Sequence, residues 1–231
     1  LHYFLLPKGF IIKIFYLFLL SLMLYALILT MSRGAFLALL VVGWFVFKES
    51  KRKVLLIIFG VLGVVAALGV MNDTQRDRYL SLFSSDAKQS SSAEGRINGM
   101  IKEFELGLKR PVFGFGLGTT PEAKFHHFGK RQASHNMYAE LLIEIGIVGV
   151  IFFMRFIIAI RKQLLRGLIS ANHSNEFYRT LFKIFNILFW MFAIYSINYW
   201  GLSQYYWYNL AGLVVAASIL ISTGKSKDQQ L

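Results

Sequence analysis

Apolar residues along this chain fall into runs, and the polar residues gather in the gaps between them. Six runs read as membrane-crossing helices: near Phe10 to Thr30, Ala35 to Phe47, Val54 to Met71, Met137 to Ile160, Leu181 to Ile197, and Tyr205 to Ile221. A helix needs about 20 residues to cross the hydrocarbon core of a bilayer. The second run is short, so the Met31-Ser32-Arg33-Gly34 turn before it is expected close to, or slightly inside, the outer membrane surface. The third is rich in small residues (Gly60, Gly63, Ala66, Ala67, Gly69), which let helices approach closely. The expected fold class is an all-α polytopic membrane protein with about six transmembrane helices.

One long polar stretch divides the runs. The chain therefore reads as three parts: residues 1–71 with transmembrane helices 1–3 and the Ser-Arg-Gly turn, an external loop over 72–136, and residues 137–231 with helices 4–6 and a cytoplasmic tail. Within the loop, Ile97, Ile101, Phe104 and Leu108 recur at helical spacing. They predict a short amphipathic helix from Gly95 to Lys109, lying on the membrane and ended by Pro111, which cannot continue the hydrogen-bond ladder. Ser84 to Ser92 is serine-rich and is expected to be mobile.

Composition agrees with the pattern. Hydrophobic residues make up 56% of the 231 positions and the mean hydropathy is +0.54, whereas soluble domains are about 45–50% apolar with glycine counted. The net charge of +13 sits in short clusters: Lys48, Lys51, Arg52 and Lys53; Arg161, Lys162 and Arg166; and Lys225 and Lys227 in the tail. Short loops rich in Lys and Arg face the cytoplasm, which puts 72–136 outside and both ends of this chain inside. Such placement argues against nucleic acid as a partner, because that would need a continuous basic surface with base-stacking aromatics. Tyr195, Tyr199, Trp200, Tyr205, Tyr206, Trp207 and Tyr208 mark an aromatic belt at the outer interface. With no cysteine, disulfides and thiolate metal sites are ruled out. The chain starts at Leu1, and its first ten residues lack the cleavage pattern of a signal peptide; it reads as a fragment whose upstream helices are missing.

The stretch with most chemical promise runs from Ser134 to Val150, where the polar loop meets the fourth apolar run. Ser134 and Asn136 are both favoured helix N-cap types, so the helix is expected to start on His135 or its neighbours. That places an imidazole beside free backbone N–H groups, whose partial positive charge favours a neutral ring able to accept a proton. The plainer reading is a polar helix entry at a membrane surface. Arg33 stands at a helix break between apolar runs, where a charge is costly unless it meets a cavity or partner. Its fork can hold two phosphate oxygens at once, and Gly34 is expected to open the next helix beside it. The alternative is an arginine snorkelling to the interface. Arg96, after Gly95, is expected in the first turn of the surface helix, an unfavourable place for a cation unless a ligand or partner rewards it. Glu140 and Glu144 share one helix face and need a partner, with Arg33 a candidate. Gly114, Gly116 and Gly118 resemble a phosphate cradle, but no βαβ unit surrounds them; they read better as glycines that let the backbone turn along the membrane surface. Asp73 with Asp77, and His126 with His127, read as loop residues, so no metal site is expected.

Three pieces stand in order: Thr30-Met31-Ser32-Arg33-Gly34-Ala35; Gly95-Arg96 leading to Arg110-Pro111-Val112-Phe113-Gly114-Phe115-Gly116-Leu117-Gly118; and Ser134-His135-Asn136-Met137-Tyr138 through Glu144-Ile145-Gly146-Ile147-Val148-Gly149. Together they resemble the C-terminal half of the O-antigen ligase and polymerase superfamily of bacterial membrane glycosyltransferases. The resemblance implies transfer of a glycan from undecaprenyl diphosphate onto an acceptor hydroxyl such as a lipid A-core sugar. It implies transfer without metal, nucleotide sugar or other cofactor, on the periplasmic side of the inner membrane; a direct attack on the anomeric carbon inverts its configuration. It also implies Arg33 and Arg96 as the diphosphate-binding arginines and His135 as the essential histidine; Ser32, Asn136, Glu140 and Glu144, beside these motifs, are candidate supporting residues. A polysaccharide polymerase or a protein O-oligosaccharyltransferase of the same superfamily is the nearest alternative. A lipid-linked glycan transporter, which would show helices broken at mid-membrane, and a non-catalytic membrane subunit are alternatives of another class.

Overall fold

The computed structural model describes residues 9–30, 32–73, 75–76, 90–172, 176–198, 202 and 205–228. Among these the chain forms eight helices and no strand: α1 (Phe10–Leu29), α2 (Arg33–Glu49), α3 (Lys53–Val70), α4 (Ser90–Gly107), α5 (Thr120–Phe128), α6 (Met137–Asn172), α7 (Glu176–Tyr195) and α8 (Tyr206–Asp228). Five are long and apolar enough to cross a membrane, namely α1, α3, α6, α7 and α8. The protein is thus a polytopic all-α membrane protein. The short second run becomes α2, of 17 residues, about 25 Å long at the usual rise. The chain divides into two compact units, residues 1–95 and 96–231.

In the first unit, α1 and α3 bury no residue at all. Helices apolar on every side find no solvent but lipid or other helices. Helix α2 begins at Arg33, one residue earlier than the sequence suggested, because the Ser32 hydroxyl accepts from Ala35 N at 3.2 Å and caps it.

In the second unit, α6, α7 and α8 share a core of Leu164, Phe182, Phe189, Trp207, Leu210 and Val214. The Phe189 and Trp207 rings meet edge to face at 5.4 Å, a favoured aromatic geometry. The bundle is stitched at the start of α6, where Met137 N donates to Ser196 O at 3.0 Å and Tyr138 Oη to Ala193 O at 2.9 Å.

The fourth span departs most from expectation. It extends to Asn172 rather than Ile160, and it is broken at Gly146, whose φ of 60° and ψ of −170° are not helical. The break frees backbone groups that lipid cannot satisfy, and the loop after α4 satisfies them. Ile147 N donates to Pro111 O at 2.7 Å and Val148 N to Val112 O at 3.3 Å. In return Phe115 N donates to Ile143 O at 2.7 Å and Gly116 N to Glu144 O at 2.9 Å. Loop and break form one object, and the glycines are there for contact. A Cβ on Gly146 would run into the Val112 carbonyl, and one on Gly114 would lie 2.5 Å from Glu144 main chain. The expectation that this loop merely turns along the membrane surface is corrected accordingly.

The surface helix also shifts. It spans Ser90–Gly107, so Ser90 to Ser92 belong to it, while 84–89 lie outside the described residues. Its predicted apolar stripe (Ile97, Ile101, Phe104, Leu108) is exposed, and the opposite positions Glu103, Leu106 and Gly107 turn inward, as an interfacial helix should.

Candidate functional site

His135 sits between two fully enclosed neighbours. Ser134 and Asn136 are buried, while His135 is exposed. Asn136 is the N-cap: its Oδ1 accepts from Tyr138 N at 2.9 Å and Ala139 N at 3.1 Å, and its carbonyl takes the first helical bond, from Glu140 N. The helix therefore starts at Met137, and His135 precedes the cap. The start agrees with the apolar run expected from Met137, and the imidazole stands directly before the cap. Its Nε2 lies 2.8 Å from Gln132 Nε2.

Beneath this segment is a polar cluster that no sequence motif announced. Lys124 of α5 donates to Glu103 Oε1 of α4 at 2.7 Å and to the Ala133 carbonyl at 3.2 Å. Ser134 Oγ lies 2.7 Å from Glu103 Oε2, and Asn136 N donates back to that Oγ at 3.0 Å. Only the position of Glu103 with Leu106 and Gly107, three and four residues on and away from the apolar stripe, hinted at an inward face. Arg96 shares α4 with Glu103. Seven residues separate them, so their Cα atoms lie on one side of the helix, about 10 Å apart along it. Arg96 is the seventh residue of α4 rather than in its first turn, which removes the clash with the helix terminus that the sequence suggested.

Glu140 and Glu144 each accept from main-chain N–H groups. Glu144 Oε2 accepts from Gly118 N at 2.9 Å, and Oε1 accepts from the Thr120 hydroxyl at 2.8 Å and from Thr120 N at 3.4 Å. Glu140 Oε2 accepts from Leu202 N at 3.0 Å. Both are thus structural tethers, one to the loop before α5 and one to the connection before α8. The Phe115 ring, on the same loop, lies under the Arg110 guanidinium at 4.9 Å and edge-on to His127 at 5.6 Å.

Ser32 is occupied as a helix cap. The side chains of Arg33 and Arg96, and the whole of Asp77, Tyr199 and Trp200, lie outside the described residues. His127 Nδ1 lies 2.9 Å from Ala123 O, a local helix contact. Among the described residues no three His, Cys, Asp or Glu side chains are grouped as metal ligands. Outside the spans, Glu122 receives a hydrogen bond from Arg131, which holds its carboxyl below the usual carboxylate range.

Against known proteins, the model of one family, described as O-antigen ligase, matches residues 18–154. No curated protein and no solved structure matches the chain.

Proposed function

The chain belongs to the O-antigen ligase family, and from that membership we propose that it is a membrane glycosyltransferase moving a glycan from undecaprenyl diphosphate to an acceptor hydroxyl. The acceptor is a lipid A-core sugar, and transfer takes place on the outer side of the bacterial inner membrane. His135 takes the proton from the acceptor hydroxyl. The freed oxygen attacks the anomeric carbon from the face opposite the leaving group, the bond from that carbon to the diphosphate oxygen breaks, and configuration inverts. Negative charge grows on the departing diphosphate, and Arg33 and Arg96 stabilise it with paired hydrogen bonds. In this scheme the arginines supply the positive charge that a metal ion supplies elsewhere.

One observation carries the reading. The exposed His135 is held by buried neighbours, and the helix that anchors them through Glu103 also carries Arg96 on the same side. A mere polar helix entry has no need of so fixed a mount. The test incubates membranes containing the protein with undecaprenyl-diphosphate-linked oligosaccharide, labelled in the sugar, and lipid A-core. Label on the core lipid is expected. Lengthening of the lipid-linked chain would assign the protein as a polymerase instead, and no transfer to any acceptor would favour the transporter or subunit readings.

A further inference from the structure

Among the described residues, Glu103 and Lys124 are two of the few charged side chains that are buried, at 3% and 8% exposure. A buried ion pair is a poor investment in stability, since an apolar pair of similar volume commonly does as well or better. The arrangement here suggests another use. Lys124 holds the Ala133 carbonyl and Glu103 holds the Ser134 hydroxyl. A hydroxyl has one proton, and the carboxylate oxygen at 2.7 Å is nearer to Ser134 Oγ than the Asn136 carbonyl at 2.9 Å. The same Oγ then accepts from Asn136 N, whose side chain caps α6. The residues on both sides of His135 are therefore fixed, two from below by the ion pair and one by the helix it starts.

We infer that the Glu103–Lys124 pair is a positioning device for His135, clamping the Ala133–Ser134 main chain so that the imidazole is presented in one direction. The inference rests on the proposed role of His135. Neither residue touches substrate in this account; they act through the segment they hold. An apolar pair would fill the same space, but it would leave the Ala133 carbonyl and Ser134 hydroxyl without their partners, and the segment would be free to shift. A misplacement of about 1 Å can lower a rate about a hundredfold.

The experiment uses the full-length protein in its native membranes and the double variant Glu103→Leu/Lys124→Met. Thermal stability, transfer kinetics, the rate of His135 carbethoxylation by diethyl pyrocarbonate, and hydrogen exchange over residues 133–136 are measured. The double variant is expected to stay folded, to lose about a hundredfold in kcat with donor KM unchanged, and to show altered His135 modification and faster exchange. A stable double variant with parental kcat overturns the inference. Should the double variant fail to fold, Ser134→Ala removes one hydroxyl only; a kcat loss at unchanged KM supports the device, and parental kcat overturns it. His135→Ala separates this from the function itself. If that variant transfers glycan at the parental rate, the catalytic role fails, and the clamp stands or falls on whether modification and exchange at 133–136 change in the double variant.

Discussion

At Glu144, three donors from one turn of loop converge on a single carboxyl group. All three are donors, so an amide in the same place must turn its NH2 toward at least one of them. Glu144→Gln is therefore expected to destabilise the protein by about 1–3 kcal/mol, the cost of leaving a buried group unsatisfied, as a lowered midpoint in thermal unfolding; an unchanged midpoint would show that the tether contributes nothing. The sequence revealed that Glu144 needed a partner but not that the loop before α5 would supply one. The donors are the Thr120 hydroxyl and backbone N–H groups 24 and 26 residues earlier, and no spacing rule shows such a bond. Asn136 was legible for the opposite reason, because a capping side chain bonds its own next turn.

At the scale of elements, the informative feature is the break in α6. Hydropathy runs unbroken from Met137 to Ile160, so a window of 20 residues sees one span. Nothing local distinguishes Gly146 from Gly149, which stays helical. Likewise Gly114, Gly116 and Gly118 were readable as a turning loop but not as the loop that fills this break. Gly146→Ala and Gly114→Ala should each disrupt the joint, through a positive φ costing about 1–3 kcal/mol and through collision with the facing main chain. Gly118→Ala meets open space and carries the φ penalty alone. Thermal unfolding of the three variants checks this; equal losses would show that the contact does not matter. The break lies nine residues after the start of the 36-residue α6, with its main chain bonded to the loop. A transporter's unwound helix instead leaves such groups to hold a substrate or ion at mid-membrane.

For the whole molecule, the apolar runs and the charge clusters were enough to foresee an all-helical membrane protein, because lipid admits few other solutions. The amphipathic helix was legible from its stripe, though its start was not, since serines carry no apolar period. The topology expected from the charge clusters can be checked cleanly, because the chain contains no cysteine. Single cysteines at Ser50 and Lys130 should react with membrane-impermeant maleimide from opposite sides of the inner membrane. Labelling of both from one side would overturn the arrangement. On that arrangement rests the claim that two arginines hold a departing diphosphate while a histidine activates the acceptor. Its most direct test is single-turnover transfer from labelled undecaprenyl-diphosphate-linked glycan by Arg33→Lys, Arg96→Lys and His135→Ala proteins inserted to parental levels. The account predicts that each loses about a hundredfold or more, the lysine variants included, because charge without the fork does not hold two oxygens. Transfer at the parental rate by all three would contradict it.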